Sequence, residues 1–378
     1  MRIGIDARFF GPRTGGGGIG RYVSELVNNL QKIDHENEYV IFLKKENFHE
    51  FVVTGSNFSK KLVDVPWYSV AEQIVMPREI AHARVNFMHY PHWNVPVLSR
   101  VPFIVTIHDL ILLEDPQSAR ATTKGALVHG IKQVGHRIVL EKAVHSSRQI
   151  ITVSEASKRS ILKHFNVKPA KISVIHNGVN SPVEGKNVSL RGLGVLDPFI
   201  LYVGNMYPHK NLDNLLDGFA GAHASHPGIQ LVIAGKFDEF GRRLQAQALE
   251  LGFGSGEVRF INLPTDEELG ALYHHTALLA YPSRIEGFGI PPVEALLAGT
   301  KVMASNASSM PEILGEYVRY VDPEDTDAMA RVMVEAVERP EKWAGMKEKG
   351  MDFAKRYSWE KAAKQTLETY LLHGPRRL

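Results

Sequence analysis

Cysteine is absent from the 378 residues, so no disulfide and no thiolate metal site is open to this chain. Long apolar runs are also missing, and none approaches the ~20 residues that a membrane-spanning helix needs. No low-complexity stretch and no short-period repeat occurs, which excludes solenoid and fibrous architectures. The 17 histidines never fall in a His-x-x-x-His spacing, so a helical zinc site is not expected. The first residues, 1–6, read as a strand and not as a signal peptide, because their apolar run is too short. The lack of cysteine and the short first run fit a cytoplasmic protein.

What is present is the composition of a globular chain, 44% hydrophobic and 22% charged. Its length favours two domains over one. The net charge of +3 hides an uneven distribution. Residues 1–198 carry 25 Lys and Arg against 17 Asp and Glu, whereas residues 199–378 carry 19 against 24. A basic first half attracts phosphorylated ligands or an anionic membrane surface, or is ordinary variation in surface charge. Apolar, β-branched runs at 3–6, 39–43, 61–65, 85–89, 103–107, 149–153 and 172–175 alternate with helical patterns at 20–32, 70–83, 121–143 and 155–164. A second series starts at 199–203 and runs through strands at 230–234, 258–261, 278–281, 301–304 and 318–321. Helical patterns at 212–224, 241–251, 265–274, 292–298 and 325–338 separate them, and two more, 341–356 and 358–372, close the chain. This order predicts an α/β protein of two Rossmann-like, doubly wound domains facing across a cleft. Residues 1–178 and 199–357 form the domains, 179–198 a linker rich in turn formers, and 358–378 a terminal helix.

The densest chemical signal is Pro282-Ser-Arg-Ile-Glu286-Gly-Phe-Gly-Ile-Pro-Pro-Val-Glu294. It reads as a strand end, a glycine turn and a helix N-terminus, a geometry that aims backbone N–H groups at an anion. Glu286 is expected on the turn, with Glu294 about two turns further along the same helix face. Two carboxylates that seek hydroxyl groups beside a phosphate cradle suit a sugar nucleotide. Upstream, Gly15-Gly16-Gly17-Gly18-Ile-Gly20-Arg21 matches a dinucleotide fingerprint only formally, since it lies well past the strand end. A flexible loop contacting a diphosphate or an acceptor fits it better. His108-Asp109 follows the run at 103–107, where His108 can donate to a sugar hydroxyl or to backbone and Asp109 can orient it. Ser154 stands at a similar strand end, or is only the cap of the next helix. After the strand at 199–203, Gly204 allows close backbone approach, Asn205 follows, and Lys210 offers a point charge to a phosphate.

Together Gly15–Gly20, His108-Asp109, Gly204, Lys210 and the Glu286/Glu294 pair resemble the retaining glycosyltransferases of family 4, across essentially the whole chain. The stretch Tyr202–Asn211, with Ile107-His-Asp-Leu110 upstream, looks most like bacterial mannosyltransferases of polysaccharide or lipid-linked glycan assembly. The resemblance implies the GT-B fold, with acceptor binding by the first domain, donor binding by the second and a last helix that crosses back to the first. It implies that Glu294 holds the nucleotide ribose and that Glu286 with Gly287, Phe288, Gly289 and Ile290 holds the sugar and diphosphate. Lys210 would neutralise the leaving diphosphate, Gly16, Gly17 and Gly18 would approach it, and His108 would contact the transferred sugar. One departure is Asn205, where many members carry an arginine; Arg284, His209 or Arg21 would then supply further charge.

The function implied is transfer of a hexosyl unit with retention, mannose from GDP-mannose, to a glycan or lipid-linked acceptor. The alternatives are a UDP- or TDP-sugar donor, a non-hydrolysing sugar-nucleotide epimerase, or a non-catalytic relative that keeps the fold. No metal and no other cofactor is expected, and no nucleic-acid partner. The basic helical pattern with Arg120, Lys124, Lys132, Arg137 and Lys142 either rests on the inner face of the plasma membrane or is an exposed basic helix over the core.

Overall fold

The computed structural model describes residues 1–11, 17–115 and 126–375, with the backbone alone for 126–134. The chain divides into two compact units. The first contains β1 (Arg2–Asp6), α1 (Gly18–Ile33), β2 (Glu38–Leu43), β3 (Phe58–Leu62), α2 (Val70–His82), β4 (Phe87–Tyr90) and β5 (Phe103–Ile107). The short α3 (Ile111–Glu114) groups with the second unit, and α4 (Ala126–Ser146), β6 (Gln149–Thr152), α5 (Glu155–His164) and β7 (Ile172–Val174) complete the first series.

These strands make one parallel sheet in the order β3-β2-β1-β4-β5-β6-β7. Both faces are covered, which is why most of its strands read as unbroken apolar runs. Ile3, Ile5, Ile41 and Phe87 face one core with Leu26, Val27 and Leu30 of α1. Val40, Phe42, Met88 and Val105 face the other with Met76 and Ile80 of α2. Each such side chain contributes about 1.5–3 kcal/mol when fully buried. The expected strand 61–65 forms three residues earlier, as β3, an edge strand whose side chains are largely outside the core. A single buried face leaves its register weakly marked in sequence.

The second unit contains β8 (Phe199–Val203), α6 (Leu212–Ser225), β9 (Gln230–Gly235), α7 (Glu239–Glu250), β10 (Val258–Asn262), α8 (Asp266–His275) and β11 (Leu278–Tyr281). It continues through α9 (Ile290–Leu297), β12 (Val302–Ser305), α10 (Met310–Leu314), β13 (Arg319–Val321), α11 (Thr326–Glu338) and α12 (Met346–Ala354). The sheet is again parallel, in the order β10-β9-β8-β11-β12-β13. The helix expected over 341–356 is two pieces, a 3₁₀ turn Pro340–Trp343 and α12, because Gly345 turns the chain at φ 77°.

Residues 179–198, read from composition as a linker, group with this unit. Arg259 Nε donates to the Leu193 carbonyl at 2.8 Å, and Gln230 Oε1 accepts the Leu196 N–H at 2.8 Å. Side chains of this unit thus fasten the segment through its backbone N–H and carbonyl groups.

The last helix, α13 (Trp359–His373), belongs to the first unit and packs along α1. A buried polar chain fixes it there. Tyr370 Oη lies 2.7 Å from His89 Nδ1, His89 Nε2 lies 2.9 Å from Thr106 Oγ1, and Tyr22 Oη lies 3.1 Å from the same Thr106 oxygen. Burial pushes the His89 imidazole down to about 3, so it is neutral in this chain of bonds.

Each sheet reverses its strand order once, between β1 and β4 and between β8 and β11. In open parallel sheets, ligands bind beyond the strand ends at this reversal.

Candidate active site

The second reversal point gathers the strongest sequence signals. After β8 the chain passes Gly204, at φ 149°, and reaches Lys210; after β11 it passes Pro282 and reaches Glu286. Asn211 links the two loops. It sits in the left-handed region at φ 63°, fully buried, and its Nδ2 donates to the carbonyls of Pro282 (3.1 Å) and Pro323 (2.6 Å). Asparagine is among the few residues that tolerate this conformation.

Lys210 Nζ donates to Glu286 Oε1 at 2.5 Å, and both side chains are buried. Burial opposes ionisation of Glu286, yet the adjacent ammonium holds its carboxyl below the usual range. Tyr281 closes one side, with its hydroxyl 3.4 Å from Lys210 Nζ and its ring stacked on Tyr202 at 5.8 Å. Ser308 fixes the backbone of Glu286 from both directions, accepting its N–H at 3.1 Å and donating to its carbonyl at 2.9 Å.

Glu286 and Glu294 are not on one helix face. Glu286 stands in the loop ahead of α9, and Glu294 is the fifth residue of that helix. Both are buried, which rules out a pair of incidental solvated glutamates. Glu294 Oε2 accepts the Tyr273 hydroxyl of α8 at 2.9 Å. Gly289 caps α9 at φ 87° without a side-chain bond, and Pro291 and Pro292 bring no N–H. Of the first three helical positions, only Ile290 therefore carries a donor for an anion. Gly287 and Phe288 complete the turn, with Phe288 buried.

The auxiliary cations are placed differently. Arg284 is held by Glu324 through Nε (2.6 Å) and Nη2 (3.2 Å), a charge-assisted pair at the surface. His209 is buried, and desolvation, then the neighbouring Lys210, lowers it to about 4, so it is a neutral group. Asn205 has an exposed side chain, while its carbonyl accepts the Tyr202 hydroxyl at 2.7 Å. The chain has one Asp-x-Asp spacing, Asp325-Thr326-Asp327. Asp325 caps α11 by accepting the Ala328 N–H at 2.8 Å, and among the described residues no cluster of acidic and histidine side chains could hold a metal ion.

The remaining sequence candidates lie in the first unit. His108 Nε2 donates to the Pro91 carbonyl at 2.9 Å, and burial lowers its imidazole to about 4. It is thus a neutral ring oriented by backbone, with Nδ1 as its accepting nitrogen, and Tyr22 packs edge-on against it at 4.7 Å. Asp109, next to it, is half-buried. Ser154 is the cap of α5, accepting the Ser157 N–H at 3.0 Å. Gly17 caps α1, Gly18 is its first residue and Arg21 lies in its first turn; Gly15 and Gly16 fall outside the described residues. So do Arg120 and Lys124, and the side chain of Lys132.

Residues 16–181 match the model of glycosyltransferase family 4, and residues 192–353 that of the glycosyl transferases group 1. The chain is 27% identical to O-antigen chain mannosyltransferase B of Escherichia coli, over 94% of this chain and 96% of that one. It is 28% identical to O-antigen chain mannosyltransferase RfbU of Salmonella typhimurium, over 72% and 71%. Among solved structures, sucrose-phosphate synthase from Thermosynechococcus elongatus aligns with a TM-score of 0.76 at 19% identity, covering 98% of each chain. HepE of Anabaena, in complex with UDP and glucose, aligns with a TM-score of 0.75 at 18% identity, covering 98% and 99%. These two establish the GT-B fold; the two family models, which together span most of the chain, place it among the glycosyltransferases of family 4 and group 1.

Proposed function

We propose that the protein is a retaining mannosyltransferase that moves mannose from GDP-mannose to a glycan or lipid-linked acceptor. The buried Lys210–Glu286 pair at the β8/β11 reversal carries this reading. The names of the two O-antigen relatives suggest mannose as the sugar. In the reaction, Lys210 takes the negative charge that develops on the departing diphosphate, together with the Ile290 end of α9 and Gly204. Glu286 then turns to the sugar hydroxyls. Because Lys210 holds Glu286, no carboxylate in this cluster stands ready as a nucleophile. The acceptor oxygen therefore attacks C1 on the face that the phosphate leaves. The C1–O bond to phosphate breaks, a C1–O bond to the acceptor forms, and the acceptor proton passes to the departing phosphate oxygen. On the first unit, His108 offers Nδ1 to a sugar hydroxyl, and the glycine loop before α1 is a phosphate contact. No metal or other cofactor is required by this scheme.

Glu294 is assigned to the nucleotide ribose, and Tyr273 holds it in place. Tyr273→Phe is expected to weaken nucleotide binding by about tenfold, the loss of one hydrogen bond to a charged group. Calorimetric titration checks it, and an unchanged affinity would remove the ribose assignment.

A second reading keeps the mechanism with a UDP-sugar, since HepE is a fold relative in complex with UDP and glucose. Incubation with GDP-mannose, UDP-glucose or a TDP-sugar, with and without a mannosyl acceptor, tests both. Product formation from GDP-mannose alone among donors, with an α-anomeric proton by NMR, is the expected result. Alteration of the sugar nucleotide without any acceptor would make the protein an epimerase instead. Peripheral membrane contact through the basic first half is part of the proposal, and absence of liposome co-sedimentation at low salt would dismiss it. Among the described residues no helix is long and apolar enough to cross a membrane.

A further inference from the structure

Tyr22 of α1 joins His108 to the buried polar chain that fixes the last helix. Its hydroxyl lies 3.1 Å from Thr106 Oγ1, and its ring meets the His108 ring at 4.7 Å with 86° between the planes. Thr106 and His108 stand two positions apart at the end of β5, so they share a face and one tyrosine reaches both. The same ring meets Trp359, the first residue of α13, at 6.1 Å and 61°. The helix α13 therefore holds Tyr22 twice. It touches the ring through Trp359, and it reaches the hydroxyl through Tyr370, His89 and Thr106.

His108 has a use for such a neighbour. It is half-buried, so a ligand reaches it. Its Nε2 donates to the Pro91 carbonyl at 2.9 Å, and its own carbonyl accepts the Ser157 hydroxyl at 2.8 Å. These bonds fix the backbone and one ring nitrogen, yet a single N–H···O bond leaves the ring free to swing about it. A second ring packed edge-on removes that freedom. Tyr22 is buried and anchored at both ends, so it presents a fixed surface. An apolar side chain would fill this part of the core without a hydroxyl to desolvate. Here the hydroxyl is paired with the strand that carries His108. Tyr22 also lies about one turn in from Gly18, the first residue of α1, which ties the glycine loop to the same point.

We propose that Tyr22 is a positioning residue for sugar transfer. It holds the His108 ring on the Pro91 carbonyl so that Nδ1 stays presented to the sugar, and α13 supports it from behind through Trp359 and the chain to Tyr370. The assignment rests on the transferase reading above, in which His108 meets a sugar hydroxyl.

A double-variant cycle in the full chain, read by transfer kinetics and by histidine NMR, tests the role. Tyr22→Leu and Tyr22→Met are expected to lower kcat about tenfold at nearly constant KM for donor and acceptor, the scale of one ring contact. Tyr22→Phe keeps the ring and should stay within about threefold of the wild-type chain. His108→Ala should lower kcat further, and Tyr22→Leu added to it should cost nothing more, because a residue that acts through another is not additive with it. Independent losses in the double variant, or equal losses in Tyr22→Phe and Tyr22→Leu, would overturn the positioning role. Nitrogen-15 spectra of the histidine rings, with His108→Gln to assign the signal, read the contact without turnover. The wild-type chain and Tyr22→Phe should show one neutral His108 tautomer, protonated at Nε2, and the ring-deleted variants a second tautomer. An unchanged His108 signal in both ring-deleted variants would overturn the role. A tautomer that depends on Tyr22, in a chain that transfers from no donor, would keep Tyr22 as the residue that sets the His108 ring and overturn the transferase reading. Normal transfer by His108→Ala would do the reverse.

Discussion

Lys210→Ala is expected to lower the rate of sugar transfer by about 10²–10³-fold, the usual cost of removing one preorganised donor from a developing anion. It is also expected to destabilise the second unit by about 3–5 kcal/mol, because Glu286 is left charged and buried without its partner. These effects have separate origins, and a double variant divides them. Lys210→Met with Glu286→Leu replaces the pair by apolar groups, which is often neutral or stabilising. Its denaturation midpoint should return toward that of the wild-type chain while transfer stays lost. Chemical denaturation and single-turnover transfer measure the two quantities. A single variant that melts normally and transfers at a near-normal rate would remove Lys210 and Glu286 from the site.

Acid is expected to weaken the fold well before the carboxylates protonate. His89 and His92 are lowered by burial to about 3, and His108 and His209 to about 4. In the unfolded chain each titrates near its ordinary value, about 6.5. Between that value and the folded one, the unfolded state binds a proton that the native state refuses, so stability falls as pH falls. The slope is about 1.4 kcal/mol per pH unit for each histidine kept neutral. Denaturation series from pH 7 to pH 4 should show a steep decline that begins near pH 6.5. His89→Gln, which removes one of these groups from the buried chain to Tyr370, should flatten it. A stability constant from pH 7 to pH 5 would contradict neutral burial of these rings.

The sequence made the elements of the fold legible wherever one pattern dominated. The apolar runs of β1, β8 and β11 left little choice but buried parallel strands, and Gly204, Lys210 and Glu286 fell at strand ends by counting alone. What it did not show were partners brought in from distant elements. Tyr273, Tyr281 and Ser308 hold the two glutamates, yet each looks like an ordinary core or turn residue until α8, β11 and the loop after β12 come together. Proximity to an X-Pro-Pro helix start was the one local hint that Glu286 stands outside α9. The basic helical pattern around residues 120–142 is legible as charge, but Arg120, Lys124 and the side chain of Lys132 fall outside the described residues.

The β8/β11 reversal is expected to bind a nucleotide diphosphate through Lys210. Titration calorimetry of the wild-type and Lys210→Ala chains with GDP, UDP and TDP measures it most directly. GDP is expected to bind most tightly to the wild-type chain, and Lys210→Ala to weaken it by at least about tenfold, the loss of one charge-assisted contact. Equal GDP affinity in the two chains would contradict it.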